Sequence, residues 1–354
     1  MSRKETIRLG VIGCGKGAQE KHLPALKDMA NVRVIAAADL NPDRLHDVVN
    51  RFGIEQKYTD YRRMLDRSDV DTVAVLTPTI SHAEIGVAAI SSGKHVFIDK
   101  PLALTLRECD ELIGRAACSK IRGMVGFNHR WHRLIQRAEK FIQSGALGEI
   151  KTIRSVYTHW HPGAQSQDWH RKRKFGGGVV FNDAVHHFDL WRFLLKTEVV
   201  EVFSKGRNSE HFEDETNVIT ARLANGVLAS GIFMFETNSN NELEIYGDLG
   251  KLYISCYHFD GLKFYPNSSY PGDISERLRK MAETIREIPQ GIESLRWGGD
   301  SNMAFRSQWK HFIDCLLDDK PPSCTFSDGK CAVKIALGTI ESVLSGKPIK
   351  ISSL

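Results

Sequence analysis

The sequence predicts an α/β protein in which a doubly wound parallel sheet is followed by an α+β domain with a large, mainly antiparallel open sheet. Strand and helix patterns alternate up to about residue 126, which is typical of a parallel sheet. After residue 149 the pattern changes to short alternating strands joined by turns, which is typical of an antiparallel sheet. At 354 residues the chain exceeds the usual size of one domain, so we predict one domain over residues 1–126 and a second over residues 127–354.

The first domain opens with a strand, a glycine-rich turn and a helix at residues 7–29. The turn matches G-x-G-x-x-[GA], and its residues are Gly13, Cys14, Gly15, Lys16, Gly17 and Ala18. Gly13 permits the tight turn, Gly15 lets the backbone approach a pyrophosphate, and Ala18 allows the helix to pack closely on its strand. A plain glycine turn is the alternative, but the pattern predicts a Rossmann domain whose turn holds a dinucleotide.

An acidic residue after the second strand supports this prediction. The strand at residues 32–38 ends in Asp39, about 20 residues beyond the turn, where the dinucleotide fingerprint places an acid. Asp39 can accept a hydrogen bond from the ribose 2′-OH and repels a 2′-phosphate, which favours NAD over NADP. Two alternatives stay open, because Asp39 could instead cap the helix that begins near Pro42, and Arg44 could screen a phosphate.

The rest of the first domain places its loops at the carboxyl ends of the strands, where a doubly wound sheet binds ligands. The strand at residues 72–76 ends in Thr77 and Pro78, and the strand at residues 95–98 ends in Asp99 and Lys100. Further elements are helices over residues 42–51, 61–66, 82–92 and 104–119, and a last strand over residues 123–127.

The second domain begins with an amphipathic helix over residues 131–144. Its strands are predicted over residues 149–159, 201–204, 217–223, 227–236, 242–246 and 251–256. Its helices are predicted over residues 183–195, 273–288, 304–317 and 327–344. The helix over residues 273–288 is highly charged, and we interpret it as an excursion from the domain.

Composition excludes several classes of function. Hydrophobic residues at 42%, charged residues at 26% and a net charge of +5 describe an ordinary globular protein and give no reason to invoke nucleic acid.

The seven cysteines form no C-x-x-C pair, the N-terminus has no apolar signal core, and no apolar run could span a membrane. His159 with His161, and His186 with His187, lack partners at ligand spacing, so no metal is predicted. We expect a cytoplasmic protein with reduced thiols and no membrane or nucleic-acid partner.

An ordered set of further motifs resembles the glucose-fructose oxidoreductase and inositol dehydrogenase family, also called Gfo/Idh/MocA. The set covers nearly the whole chain and comprises the glycine turn, His22-Leu23-Pro24, Thr77-Pro78 with His82, Gly93-Lys94-His95-Val96, Asp99-Lys100-Pro101, Gly126-Phe127-Asn128-His129-Arg130, Gly176-Gly177-Gly178 with Asn182, His186 and Asp189, and Asp328-Gly329 with Gly346-Lys347-Pro348. Because these motifs occur together and in this order, they are far more specific for the family than any single motif. The resemblance implies an NAD(P)-binding domain over residues 1–126 and a substrate-binding and oligomerisation domain over residues 127–354.

The resemblance also implies an activity. The activity is hydride transfer between a nicotinamide cofactor and a secondary hydroxyl of a sugar, a sugar derivative or an inositol-like cyclitol. NAD is the expected cofactor, and NADP is less favoured. The expected assembly is a homodimer or homotetramer. His186 is the candidate acid or base because an imidazole titrates nearest neutrality, Lys100 would hydrogen-bond the reacting oxygen, and Asn182 would orient the substrate. Cofactor contacts carried over from the family are Thr77, Pro78, His82, Asp99, Lys100 and Asn128. Substrate contacts are Arg130, Trp160, Trp169, Arg171, Asn182 and His186. The alternatives are a core histidine, loop-fixing hydrogen bonds and buried tryptophans.

Two departures from the family pattern affect this prediction. Asp99 replaces the usual glutamate, and Asn182 stands where many members have a catalytic aspartate. A rival register through Asp183 and His187 is rejected, because Asn182 and His186 keep the family's spacing to the glycines and to Asp189 without a gap. On a regular helix residues 182, 186 and 189 share a face, and Asp189 could then support His186. Because Asn182 cannot take a proton, a catalytically silent cofactor-binding regulator remains an alternative.

A basic run at residues 170–174 leaves one more alternative open. It precedes the glycine turn, so part of it is expected near the mouth of the active site, where it would attract a nucleotide-linked or uronate sugar. The other interpretation is a solvated loop, because charge runs usually face water.

Overall fold

The computed structural model describes residues 6–161, 163–268, 270 and 273–354 and divides the chain into two compact units. Unit 1 is Met1–Asn128 with Phe305–Val333, and unit 2 is His129–Ala304 with Lys334–Leu354. The sequence predicts an uninterrupted second domain from residue 127, whereas residues 305–333 group with unit 1.

Side-chain packing explains why residues 305–333 belong to unit 1. The ring of Trp309 stacks on Phe97, with centroids 4.2 Å apart. A Cβ atom on Gly123 would lie 2.5 Å from the ring of Phe326, so that ring lies directly on the edge of the sheet. These partners are about two hundred residues apart in the chain, and a local pattern cannot reveal such a contact.

Unit 1 contains a six-stranded parallel sheet in the order β3-β2-β1-β4-β5-β6, which confirms the predicted doubly wound fold. Its strands are β1 (Ile7–Ile12), β2 (Val32–Ala38), β3 (Gln56–Tyr58), β4 (Thr72–Val75), β5 (His95–Asp99) and β6 (Gly123–Gly126). Strand β4 is buried along its whole length, as expected for a sheet covered on both faces. Strand β3 was not predicted from the sequence, because this three-residue edge strand is polar and largely exposed.

Unit 2 contains an eight-stranded sheet in the order β13-β12-β11-β7-β10-β9-β8-β14. Only β7 and β10 are parallel neighbours, so the prediction of a mainly antiparallel sheet is confirmed. The strands are β7 (Ile150–His159), β8 (Val199–Arg207), β9 (Thr216–Leu223), β10 (Leu228–Phe235), β11 (Asn240–Gly247), β12 (Gly250–Ser255), β13 (Leu262–Pro266) and β14 (Ile349–Lys350). In β9 and β10 buried residues alternate with less buried ones, which is the pattern of a sheet with one face on the core.

The helices largely follow the predicted positions, with two informative differences. They are α1 (Leu23–Leu26), α2 (Pro42–Phe52), α3 (Tyr61–Leu65), α4 (His82–Ser91), α5 (Leu106–Ala117), α6 (Arg133–Gln143), α7 (Asp168–Arg171), α8 (Val185–Leu195), α9 (Ile274–Arg296), α10 (Asp300–Leu317) and α11 (Phe326–Ser345). Helix α9 is longer than predicted, and α8 is preceded by a π-helical turn at Val180–Ala184. Among the described residues, no helix is long and apolar enough to cross a membrane.

Candidate active site

The glycine-rich turn of unit 1 lies at the carboxyl ends of β1 and β4, where the strand order of the sheet reverses. Gly13 has a φ of +97°, and a Cβ atom there would lie 2.7 Å from the carbonyl oxygen of Leu76. Only glycine fits this close approach of two backbones. At Gly15 a Cβ atom would meet nothing within 4 Å, so the backbone faces open space. The turn therefore fits a pyrophosphate at the switch point of the sheet.

The segment after the turn departs from a regular helix. Ala18 is buried, and a π-helical turn at Ala18–His22 leads into α1. Pro24 has no N–H to donate to the carbonyl of Glu20, and the wider π turn accommodates this missing hydrogen bond. Lys16 and Gly17 are exposed at the start of this segment.

Asp39 is a fully engaged carboxylate rather than an isolated acid. It accepts hydrogen bonds from the backbone N–H groups of Cys14 at 2.7 Å and Asn41 at 2.8 Å. The Arg44 guanidinium donates to both of its oxygens, at 3.1 and 2.7 Å. Burial alone would raise the pKa of Asp39, but Arg44 and the two N–H groups outweigh it and lower the pKa. The cap of α2 is Asn41, so Asp39 holds the glycine turn and the neighbouring arginine instead.

His82 connects two of the loops that follow strands. Its Nε2 lies 2.7 Å from the carbonyl oxygen of Thr77, and its Nδ1 lies 2.8 Å from that of Pro101. Ser81 donates to the Thr77 hydroxyl and to the carbonyl of Pro78, which fixes the same loop. Burial lowers the pKa of His82, although both carbonyls oppose this effect. These contacts fit the loop-fixing alternative for His82, and its contact with the cofactor stays a prediction.

Asp99 and Lys100 end strand β5 in a tightly packed corner. Asp99 accepts a hydrogen bond from the backbone N–H of Lys100 at 2.9 Å, and its other oxygen lies 3.7 Å from Nε2 of His22. Burial would raise the pKa of Asp99, but His22 and the nearby Lys100 charge lower it. A Cβ atom on Gly126 would lie 2.9 Å from an Asp99 oxygen, so β6 leaves little room for a longer acid. Lys100 is half-buried, and Asn128 is buried two residues after β6.

His22, which the sequence marked only as part of a motif, has a structural role in unit 1. Its ring makes edge contacts with Phe97, Phe305 and Trp309 at centroid distances of 5.0 to 5.9 Å. The Trp309 indole N–H donates to its Nδ1 at 3.2 Å. His22 thus connects the helix after the glycine turn to the strand that ends in Asp99.

In unit 2, three consecutive glycines lead the chain into the Asn182 and His186 segment. A Cβ atom on Gly177 would lie 2.6 Å from the carbonyl of His170, and one on Gly178 would lie 2.6 Å from the carbonyl of Glu213. Gly178 also has a φ of +86°. The chain passes between two other backbone segments here, which only glycine permits.

Asn182 and His186 lie on the π-helical turn and the first turn of α8. The Asn182 amide donates to the carbonyl of His170 at 3.4 Å. His186 is only 6% exposed, and the ring of His129 stacks on it with centroids 4.1 Å apart and an interplanar angle of 21°. Sequence reasoning missed the His129 contact, although His129 lies inside a quoted motif. The π turn also means that the regular helical spacing assumed for residues 182 and 186 does not hold.

Asp189 and Arg130 form an ion pair that the sequence did not predict. The Arg130 guanidinium donates to both Asp189 oxygens, with Nε at 2.6 Å, and both residues are buried. Arg130 also lies over the ring of Phe193, 5.2 Å from its centroid. This buried pair connects α8 to the segment before α6. The substrate contact of Arg130 and the support of His186 by Asp189 stay predictions.

The rival pair, Asp183 and His187, has a different environment. His187 is completely buried against Tyr157 and Phe233, and burial lowers its pKa to about 3. Burial and then the Asp183 charge raise the pKa of Tyr257 to about 12, and the same two causes raise the pKa of Tyr157 well above its usual value. Tyr157 also makes an edge contact with His129, so a tyrosine that sequence reasoning missed lies next to the histidine stack, and Tyr257 is hydrogen-bonded to Tyr157.

The remaining predicted substrate residues lie on the segment between β7 and the glycines. Trp160 is 64% exposed, whereas Trp169 packs against His170 at a centroid distance of 3.7 Å. The Arg171 Nε donates to the carbonyl of His211 at 2.8 Å. Lys172 lies 3.6 Å from Asp168, and the backbone N–H of Arg173 donates to Glu213, so two acidic groups lie beside the basic run. The described residues include no group of three or more His, Cys, Asp or Glu side chains that could hold a metal ion.

Asp214 is a further residue that no sequence signal indicated. It is 4% exposed, and its carboxylate accepts hydrogen bonds from the Asn217 amide and from the backbone N–H of Val180, at the start of the π turn. Burial raises the pKa of Asp214 to about 7, against the effects of Val180 and Arg173. The first residue of the π turn that leads to His186 is therefore hydrogen-bonded to a buried carboxyl group whose pKa is about 7.

We expect Asp214 to make stability depend on pH. The unfolded chain loses this proton near pH 4, whereas the folded protein keeps it up to about pH 7. The free energy of unfolding should therefore fall by about 1 to 4 kcal/mol as pH rises across that interval. Asp214→Asn imitates the neutral carboxyl and should flatten the curve, which urea unfolding at a series of pH values would measure. The nearby Glu213→Gln serves as the control, and an unchanged slope in Asp214→Asn would contradict the assignment.

Comparison with known proteins agrees with this geometry. Residues 7–127 match the family model described as "Oxidoreductase family, NAD-binding Rossmann fold", and residues 135–253 match the GFO/IDH/MocA C-terminal domain. The fold and the glycine turn define an NAD-binding oxidoreductase. The chain belongs to the GFO/IDH/MocA family.

Relatives match along the whole chain. Myo-inositol 2-dehydrogenase of Thermotoga maritima is 24% identical over 98% of this chain and 99% of its own. Levoglucosan dehydrogenase solved with NADH and L-sorbose superposes with a TM-score of 0.82 at 21% identity, over 98% and 99% of the two chains. The WlbA dehydrogenase of Bordetella pertussis, solved with NADH and UDP-GlcNAcA, has a TM-score of 0.83 at 20% identity over 99% of both chains. At these identities the structural likeness shows the fold.

Proposed function

We propose that this protein is an NAD-dependent dehydrogenase that oxidises a secondary hydroxyl group of a neutral sugar or cyclitol. The observation that carries the proposal is the near-buried imidazole of His186, which stacks on His129 and lies four residues beyond Asn182. Family membership and the inositol and levoglucosan dehydrogenases among its relatives support the substrate class.

Oxidation of an alcohol requires a group that takes the hydroxyl proton. His186 accepts this proton, because an imidazole is the side chain suited to proton transfer near neutral pH. The stacked His129 ring restricts the orientation of the His186 ring. The Asn182 amide hydrogen-bonds and orients a hydroxyl group without exchanging a proton.

Lys100 acts on the oxygen that loses its proton. Its ammonium group stabilises the negative charge that develops there, and it donates a hydrogen bond to the carbonyl oxygen of the product. The hydrogen bond from its backbone N–H to Asp99 fixes the start of the loop that carries it. NAD, when bound to the glycine turn and Asp39, supplies the hydride acceptor.

The proposal includes a cytoplasmic homo-oligomer. Cys14 and Cys109 are reduced thiols, and burial raises the pKa of each to about 12, which keeps them protonated and inert. Reduced thiols are typical of a reducing compartment.

A panel of neutral cyclitols, neutral sugars, uronates and nucleotide-linked sugars, each with NAD and with NADP, tests the proposal. The readout is the absorbance of the reduced nicotinamide. We expect turnover with at least one neutral substrate and NAD. If NAD binds but no compound is oxidised, the catalytically silent regulator becomes the better interpretation, and turnover restricted to anionic sugars would reverse the choice of substrate class.

We expect the basic run to have little effect on a neutral substrate. Because a neutral substrate carries no charge for these side chains to attract, changing Arg171 and Arg173 to Ser should alter kcat/KM by less than about twofold at low or high ionic strength. Lys174→Ser, at an exposed position over Phe175, is the matched control, and thermal stability shows whether loss of the Arg171 contact to His211 disturbs the loop. A large, salt-dependent loss with a uronate or nucleotide-linked sugar would favour the anionic alternative.

A further inference from the structure

Helix α9 exposes a regular row of large apolar side chains. Seven of them are between 44% and 77% exposed, and they are Ile274, Leu278, Met281, Ile285, Ile288, Ile292 and Leu295. A single exposed leucine needs no explanation, but a continuous row along one helix is typical of an interaction site. We call this row the α9 seam.

The spacing of the α9 seam indicates what kind of surface covers it. Its members alternate four and three residues apart over the whole helix, which gives an average period of 3.5 residues. This is the a/d pattern of a helix packed along another helix, narrower than the stripe of a helix that packs on its own core. Ile285 and Ile292 then occupy a positions, and Met281 and Ile288 occupy d positions. The seam is about 30 Å long at 1.5 Å per residue.

The contacts that hold α9 against the rest of unit 2 are on a different face of the helix from the α9 seam. Thr284 donates to Asp260 at 2.7 Å, and Glu287 accepts from Arg133 at 3.0 Å and from Arg137 at 2.7 Å. These contacts fix the orientation of the helix on the domain. The α9 seam is therefore presented outward on an anchored helix rather than on a loose one.

A close approach at Gly291 supports the same orientation. A Cβ atom there would lie 2.9 Å from the ring of Phe259, so this side of α9 lies directly on the loop after β12. Two surface grooves flank Ile292, of about 580 Å³ along Pro289 and Trp297 and about 350 Å³ beside Tyr257. Grooves of this size can receive the side chains of a second helix.

Charge identifies the partner. The helix and its flanking residues carry equal numbers of acids and bases, namely Asp273, Glu276, Glu283, Glu287 and Glu293 against Arg277, Arg279, Lys280, Arg286 and Arg296. A helix that binds an anionic lipid surface has a clear excess of bases. α9 itself has five bases against four acids, and Asp273 directly before it balances the fifth. A helix without net charge meets no overall repulsion from its own copy, and a copy brings an identical seam of the same length and period.

We propose that α9 is an interface between two copies of this chain, which pair seam against seam about a twofold axis. Seven side chains at these exposures offer an apolar area of several hundred Å² on each copy, roughly the order that a stable interface requires. The interface does not depend on the reaction assigned to the active site.

The test is the mass in solution, measured by light scattering and by sedimentation over a range of concentrations. Ile285→Glu, and the double variant Leu278→Glu with Ile285→Glu, place charges in the seam. Both positions are more than half exposed, so the fold should persist, and circular dichroism with NAD binding verifies this. We expect the mass to fall to half that of the wild type or less. The dissociation constant of the dimer should rise at least 100-fold.

Arg286→Glu is the matched control, because Arg286 is exposed and follows Ile285 but lies off the seam. This substitution also changes the charge by two units rather than one. It should keep the mass of the wild type. The proposal is overturned if the wild type is monomeric at every concentration, which would point to another occupant. It is also overturned if the folded double variant keeps the mass of the wild type, or if Arg286→Glu dissociates as fully as the seam variants.

Discussion

His186→Ala and Lys100→Ala are each expected to lower kcat by about 10²- to 10⁴-fold while the Kd of NAD changes by less than about twofold. The reason is that both side chains act on the reacting oxygen, His186 by taking its proton and Lys100 by stabilising its charge. A loss in kcat without a loss in cofactor affinity separates these roles from a general disturbance. Steady-state kinetics with the best substrate of the panel, together with calorimetric titration of NAD, measures both quantities.

The neighbouring residues provide the controls. His187 is completely buried, so His187→Ala should lower stability, by about 2 kcal/mol or more, rather than act on the chemical step. Asp183→Asn keeps the size of the side chain and should reduce kcat far less than His186→Ala. If folded His187→Ala proved inactive while His186→Ala retained activity, the register through Asn182 and His186 would be wrong.

The second large effect concerns the choice between NAD and NADP. We expect NAD to bind at least tenfold tighter than NADP, a difference of about 1.4 kcal/mol, because the Asp39 carboxylate repels a 2′-phosphate. Asp39→Ala should weaken NAD binding about tenfold, since it removes the ribose acceptor and the hydrogen bond to Cys14. NADP binding should change little or improve, because the same substitution removes the partner of Arg44.

Arg44 supplies the control for this interpretation. In Asp39→Ala the guanidinium is no longer held on the carboxylate and can pair with a 2′-phosphate. The double variant Asp39→Ala with Arg44→Ala should lose any gain in NADP affinity and leave NAD affinity as in the single variant. Calorimetry with both cofactors measures this, and equal dissociation constants for NAD and NADP in the wild type would refute the prediction.

Much of unit 1 could be predicted because its signals are local. The glycine turn, the apolar strands and Asp39 are patterns within one strand, one turn and the next strand, and the structure has them where the sequence places them. The short polar strand β3 has no such pattern and was missed. The return of residues 305–333 to unit 1 depends on contacts such as Trp309 with Phe97, which no local pattern contains.

The candidate site shows the same division. The resemblance to the family motif selected Asn182, His186 and Asp189 as a group, and their spacing fixed the register. Three contacts were not predictable from the sequence. Arg130 forms an ion pair with Asp189, His129 stacks on His186, and the buried Asp214 accepts a hydrogen bond from the start of the π turn. These partners lie between about 30 and 60 positions apart in the chain. Only the folded backbone determines which of several nearby charges or rings becomes the neighbour.

The sequence by itself therefore determined the order of the elements, the dinucleotide turn and the residue types able to move a proton, because periodicity and motif spacing depend on neighbours along the chain. The tertiary structure alone decided which of those side chains are engaged by the protein and which remain exposed. Arg130 and the α9 seam are the two extremes. A charged side chain predicted to bind substrate is buried in an ion pair, and an apolar row that would suit a core faces outward. Burial depends on what packs against a side chain in space, and the identity of the side chain does not specify that partner.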